Sequence, residues 1–176
     1  MINDKNINEQ QFKDRIINGD ALEELAKIPD GIFNMCVTSP PYWGLRDYGK
    51  DGQIGLEKSP EEYIEKLVAI FREVRRTLRD DGTLWLNLGD SYAGSGGMGS
   101  WVDRKAKRGM VKINDYYRNK PIKGLKPKDL CMIPARVALA LQADGWWLRQ
   151  DIIWHKPNPM PESVKDRCTK SHEYIF

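Results

Sequence analysis

The chain has 176 residues, about 40% of them hydrophobic and 30% charged, which is enough for a core within one domain and excludes both wholesale disorder and a fibrous repeat. Its formal net charge of +3 is unevenly spread: residues 104–128 hold ten Lys or Arg against the single acid Asp115, so that stretch carries about +9 and the remainder about −6. Residues 1–12 form a polar extension lacking the basic start and apolar stretch of a secretion signal, and no apolar run approaches membrane-spanning length, so a cytoplasmic chain with no membrane partner is expected. Cys36, Cys131 and Cys168 are odd in number and widely separated, so neither a disulfide nor a metal site is expected.

Residues 15–20 read as a short strand ending in a turn, and residues 21–28 as a helix with Leu22, Leu25 and Ile28 on one face. Pro29-Asp30-Gly31 stops that helix. Residues 32–37 are an apolar run broken only by Asn34, the pattern of a parallel strand covered on both faces, and they deliver Thr38-Ser39-Pro40-Pro41-Tyr42-Trp43 at the strand's carboxyl end. Ser59-Pro60-Glu61-Glu62 is a helix start, with Ser59 as N-cap and Glu62 completing a capping box. The helix should run to about Leu78 and bury Tyr63, Leu67, Ile70, Phe71, Val74 and Leu78.

Asp80-Asp81-Gly82 reads as a turn and residues 83–88 as the next buried strand. Residues 89–127 lack periodicity, as a functional loop would. A helix is expected over residues 129–143, a strand over 146–154, an extended proline-rich loop from His155 to Pro161, and another strand beginning at His172. The alternation predicts an α/β fold, a mostly parallel sheet with helices on both faces and ligands beyond the carboxyl ends of its strands. The sequence stops at Phe176 inside that last strand, so a truncated product or a split gene is expected.

The segment following residues 32–37 has a chemistry. Two prolines fix the backbone, so the Pro40 carbonyl and the Ser39 side chain can accept hydrogen bonds from an exocyclic amine while Tyr42 stacks on the base. The lone pair of such an amine is shared with its ring. Acceptors that hold both N–H bonds favour a pyramidal nitrogen, and orientation then supplies most of the rate. A base inside a duplex must first be flipped out. Taken as Pro-Pro-aromatic alone, the segment is equally a rigid strand-to-turn connection with an aromatic plug.

Four segments together, Ile17-Asn18-Gly19-Asp20-Ala21-Leu22, Thr38-Ser39-Pro40-Pro41-Tyr42-Trp43, Gly82-Thr83-Leu84-Trp85-Leu86-Asn87-Leu88-Gly89-Asp90 and Asp151-Ile152-Ile153-Trp154-His155-Lys156-Pro157-Asn158, resemble the permuted (beta-type) DNA methyltransferases that modify cytosine N4 or adenine N6, often borne by bacteria and phages. The resemblance implies a partial Rossmann-like, S-adenosylmethionine-dependent methyltransferase fold of the restriction-modification kind, with residues 13–176 as its catalytic, target-base part and DNA as substrate. It makes Ser39, Pro40, Pro41 and Tyr42 the catalytic group and puts Trp43, Trp154, His155 and Lys156 near the base. Ser39 in the first place resembles the cytosine N4 members, since adenine N6 members more often carry Asp or Asn.

Asp20 and Thr38 are candidates for contact with S-adenosylmethionine, although Asp20 with Glu23 also makes a helix cap in its own right. Arg104, Lys105, Lys107, Arg108, Lys112 and Arg118, in a basic loop spanning residues 93–128, are candidates for DNA contact, and a solvated loop would read the same way. Trp154 and His155 also read as a strand-end aromatic and a surface histidine. The family's glycine-rich donor-binding turn is expected after residue 176, on the missing part or on a second polypeptide or dimer partner. Asp90-Ser91-Tyr92-Ala93-Gly94-Ser95-Gly96-Gly97 looks like that turn but lacks the apolar helical period that should follow it. None of the three cysteines follows a proline, which argues against a cytosine C5 enzyme. Other readings are an adenine N6 enzyme, a non-catalytic DNA-binding remnant, and methylation of a protein glutamine amide.

Overall fold

The structure, a computed structural model, describes residues 11–94 and 122–176. Strands β1 (Phe33–Thr38), β2 (Leu78–Leu88), β3 (Ile152–His155) and β4 (His172–Ile175) form one sheet in the spatial order β1-β2-β4-β3. Helices α1 (Ala21–Ala26), α2 (Pro60–Thr77) and α3 (Ile133–Ala143) complete the described elements. The sheet is mixed rather than mostly parallel: β1 runs parallel to β2, whereas β4 lies antiparallel to both β2 and β3. The α/β class stands.

Helix α2 starts as its sequence demands. Ser59 Oγ accepts from the Glu62 amide at 3.2 Å, Pro60 takes the first turn, and Glu62 reaches back to the Lys58 amide at 3.1 Å. Tyr63, Leu67, Phe71 and Val74 line one face and are buried against Leu86 and Leu88 of β2, while Ile70 is only partly buried. Leu78 ends the helix and opens β2 in one step, because it is buried and paired with Phe33. Asp80-Asp81-Gly82 is therefore not a turn between elements. It is an irregularity inside β2 at which the pairing jumps from Phe33↔Leu78 to Met35↔Thr83. Beyond it the register is regular: Cys36↔Leu84, Val37↔Trp85, Thr38↔Leu86.

Only one face of the sheet is covered among the described residues. Leu84, Leu86 and Leu88 point toward α2, but Met35, Val37 and Trp85 on the other face are 56%, 68% and 42% exposed. The expected double cover is absent here, because every described helix belongs to the α2 side. Arg76 of α2 holds α1 in place by donating to the carbonyls of Ile28 and Leu25 at 2.7 and 2.8 Å. Residues 15–20 are not a strand. Ile16 is 99% exposed and no described strand pairs with it.

Two further elements are shorter than expected. Helix α3 begins at Ile133, not residue 129, because Met132 adopts a left-handed conformation (φ 57°) and Asp129 turns back to accept from the Lys126 amide at 2.8 Å. Its first amide, that of Ile133, is capped from a distance by Asp90 Oδ1 at 3.0 Å. Strand β3 covers only Ile152–His155, since residues 146–151 find no pairing partner, and Trp147 is 84% exposed while Trp146 packs on the core.

A short antiparallel stem joins the end of β2 to α3. Ser91 O accepts from the Cys131 amide at 2.9 Å, Tyr92 bridges Leu130, and Ala93 exchanges bonds with Asp129 and Lys128 at 2.8 and 2.6 Å. Among the described residues no helix is long and apolar enough to cross a membrane. Replacing Asp90 by Ala removes the acceptor for the Ile133 and Ser91 amides. It is expected to cost about 1–2 kcal/mol, read as a lowered urea midpoint with the slope unchanged.

Candidate active site

Ser39 follows directly on β1 and is exposed at the carboxyl end of the sheet, on the face that α2 leaves bare. The turn after it is held from three sides. Tyr63, fully buried in α2, donates its hydroxyl to the Pro41 carbonyl at 2.9 Å, and burial pushes that phenol well above its ordinary pKa. Trp43 is a core residue whose indole N–H donates to the Glu57 carbonyl at 3.1 Å. The Gly44 amide donates to Gly55 O at 2.7 Å. Glu57, itself buried, is balanced by Lys66 at 3.0 Å and accepts from the Gly55 amide at 2.9 Å. Among the described residues, no backbone amide donates to the Pro40 carbonyl.

The Tyr42 ring lies over Gly89, where an added Cβ would sit 2.5 Å from its Cε2. Its hydroxyl enters a polar cluster. Tyr42 donates toward Asn87 Oδ1 at 2.7 Å and lies 3.3 Å from Glu173 Oε2, while Ser39 Oγ is 3.0 Å from the Tyr42 hydroxyl and 3.3 Å from Asn87 Oδ1. Asn87 Nδ2 donates to the Tyr174 carbonyl at 3.0 Å. Lys156 forms a tight ion pair with Glu173 and lies over the Trp154 ring, 5.5 Å from its centroid.

Partial burial alone would raise the Glu173 carboxyl, but Lys156, helped by hydrogen bonds from Asn87 and Tyr42, brings it below the ordinary carboxylate value. Any stabilisation from this group is thus complete above the ordinary carboxylate pKa and is lost as pH falls through the lowered one. Burial pushes the Tyr42 phenol up, with the Glu173 charge adding to it against an opposing hydrogen bond from Ser39.

A DNA methylase family pattern matches residues 33–176. The chain belongs to that family. The Type II methyltransferase M.SmaI of Serratia marcescens is 59% identical over 162 residues, covering 92% of this chain and 54% of that protein. M.Cfr9I of Citrobacter freundii is 54% identical over 162 residues, 92% of this chain and 52% of its own. A solved Thermus thermophilus structure, described as a DNA modification methylase complexed with S-adenosyl-L-methionine, is 26% identical with a TM-score of 0.53, covering 89% of this chain and 51% of that one. The fold also matches the cytosine-N4-specific PvuII DNA methyltransferase (18% identity, TM-score 0.57, 89% of this chain and 45% of that one). The chain spans about half the length of the curated relatives it matches.

In this chain, Ser39, Tyr42 and Lys156 converge on one cluster, with Trp154 beside Lys156. His155 does not join them, since it alternates to the opposite face and pairs with His172. Trp43 contributes its ring to the core. Asp20 caps α1, its Oδ1 accepting from the Leu22 and Glu23 amides at 3.0 and 3.2 Å, and Thr38 pairs with Leu86. Arg104, Lys105, Lys107, Arg108, Lys112 and Arg118 lie outside the described residues. Among the described residues no cluster of His, Cys, Asp or Glu could hold a metal ion. An open cavity of about 490 Å³ between residues 47–58 and the start of α2 touches neither Ser39 nor Tyr42.

Sequence reasoning did not single out Asn87, Glu173, Tyr63 or Gly89 as members of the site. A signal existed for the first: Asn87 is the one polar residue in the run Leu84-Trp85-Leu86-Asn87-Leu88. Tyr63→Phe leaves the Pro41 carbonyl without its donor and is expected to cost about 1–3 kcal/mol. Hydrogen exchange at the Gly44 and Leu45 amides should accelerate, because the turn loses its tie to α2.

Proposed function

We propose that this chain is the target-base half of a site-specific DNA methyltransferase that transfers a methyl group from S-adenosyl-L-methionine to the N4 amine of a flipped cytosine. The observation that carries the reading is the pair of acceptors at the end of β1: an exposed Ser39 hydroxyl and a Pro40 carbonyl to which no described backbone amide donates, on a turn anchored by Tyr63, Trp43 and Gly44. Two acceptors at fixed positions hold an amino group by both its protons and direct the nitrogen lone pair away from its ring. Methylation consists of attack by that nitrogen on the donor's methyl carbon, departure of the thioether and loss of one amine proton. Ser39 in the first place of the motif supports cytosine; the family pattern spans both amines.

The described residues do not make a whole donor site. Helix α1 opens on Asp20, α2 on Ser59-Pro60 and α3 on Ile133-Pro134, so no described helix follows a glycine-rich turn that would cradle a nucleotide. Asp20 and Thr38 remain proposed margins of that site. The rest of it belongs, in this proposal, to a further segment or second polypeptide of the length the relatives have beyond the match. Among the described residues, Met35, Val37 and Trp85 lie on an uncovered face and β1 has no strand on its outer edge, which supports this, since parallel strands are ordinarily covered on both sides. The basic residues from Arg104 to Arg118 would then follow the DNA backbone.

The test combines the chain with the remainder of the M.SmaI polypeptide, as a fusion or a mixture, and supplies DNA and labelled methyl donor. Digestion to nucleosides should show label in N4-methylcytosine. Label only in N6-methyladenine would replace the cytosine reading with the adenine one, and DNA binding without label in any nucleoside would favour the non-catalytic remnant. Calorimetric titration of S-adenosyl-L-methionine into the 176-residue chain alone should give weak or undetectable heat.

A further inference from the structure

The cluster behind Ser39 consists of groups that can only accept at the points where they meet the two hydroxyls. The Asn87 amide is oriented by its Nδ2 bond to the Tyr174 carbonyl, so Oδ1 faces Tyr42 and Ser39. Glu173, paired with Lys156, presents a carboxylate oxygen 3.3 Å from the Tyr42 hydroxyl. The Tyr42 hydroxyl has two groups beside it that only accept, Asn87 Oδ1 at 2.7 Å and Glu173 Oε2 at 3.3 Å, and its proton goes to that side, which leaves the Tyr42 oxygen as an acceptor. Ser39 then finds only acceptors on its inner side, Tyr42 at 3.0 Å and Asn87 at 3.3 Å, and gives its proton inward. Its lone pairs are what the solvent-facing side sees.

We propose that Glu173, anchored by Lys156, is a positioning residue that sets this polarity and makes Ser39 an obligate acceptor. The pocket therefore admits a base with an amino group at that place and rejects one with a carbonyl. This rests on the base-pocket reading above and adds to it a cause for amine selection. A carbonyl facing the lone pairs of Ser39 and Pro40 would meet no donor, and a desolvated acceptor left unpaired is strongly disfavoured. Glu173 lies more than 130 residues from Ser39 in sequence. It reaches the pocket because β4 lies beside β2, and it shares with Asn87 the face on which Ser39 emerges.

The first experiment needs neither DNA nor donor. The 176-residue chain is labelled with carbon-13 at tyrosine Cζ, the Tyr42 resonance is assigned by its loss in Tyr42→Phe, and its titration is followed by NMR. Tyr42 should titrate above free tyrosine, fall toward it in Glu173→Gln, and stay high in Lys156→Met, where the carboxylate remains. An unchanged Tyr42 titration in Glu173→Gln overturns the proposal, whether or not the methyltransferase reading holds.

The second experiment uses the chain reconstituted with the M.SmaI remainder and compares inhibition by duplexes carrying cytosine or uracil at the target position. Glu173→Gln places an amide donor beside Tyr42 and releases the Ser39 proton. The preference for cytosine over uracil should then shrink by about tenfold, with the unfolding midpoint near that of the parent. An undiminished preference in Glu173→Gln also overturns the proposal. Absence of DNA binding by the parent, with the Tyr42 coupling intact, counts against the methyltransferase reading instead.

Discussion

The register between β1 and β2 governs what the carboxyl end of the sheet can be. Pairing Val37 with Trp85 and Thr38 with Leu86 brings Ser39 beside Asn87, and the 3.3 Å contact between their side chains is the next step of the same ladder. A slip by one residue would turn Ser39 toward α2 and send a leucine into the polar cluster. The buried contacts of Leu86 and Leu88 with α2 oppose that slip, because every displaced leucine would exchange a packed site for solvent. The irregularity at residues 80–82 belongs to the same constraint. It absorbs extra chain between Leu78 and Thr83 while leaving the register above it intact.

Once the register is set, the cluster becomes a meeting of distant segments. Ser39 and Tyr42 come from the turn after β1, Asn87 from β2, Glu173 from β4 and Lys156 from the end of β3. An ion pair on an exposed surface contributes little to stability. This one is partly buried, lies against the Trp154 ring and touches the hydroxyl network. Its value lies in orientation: the Lys156 ammonium holds a carboxylate oxygen beside the Tyr42 hydroxyl.

The sequence made some of this legible and hid the rest for identifiable reasons. Helix α2 was readable because its cap, its proline and its apolar spacing agree, and the motif from Thr38 to Trp43 stood out because two adjacent prolines at a strand end have few purposes. The methylase family followed from those segments. Sheet direction was not readable, since a four-residue β3 and β4 carry the same apolar pattern whichever way they run. The start of α3 was misplaced because its cap, Asp90, lies more than 40 residues away, beyond any local signal. Trp43, expected near the base, lies in the core instead, because only the folded turn brings the Glu57 carbonyl to its indole. Residues 15–20 have the composition of a strand, but composition does not supply a neighbour to pair with.

The stem at residues 91–93 and 128–131 has a consequence for how such a protein diversifies. Backbone bonds between Ser91 and Cys131 and between Ala93 and Asp129 close the chain on itself, and Asp90 fastens the closure to α3. Whatever sequence lies between residues 94 and 122 therefore enters and leaves the domain at a single doorway. The entropy of closing such an excursion rises by only about 0.6 kcal/mol for each doubling of its length. A lineage can lengthen, shorten or exchange that stretch as a cassette while the sheet, the motif at its end and the cluster behind Ser39 stay where they are.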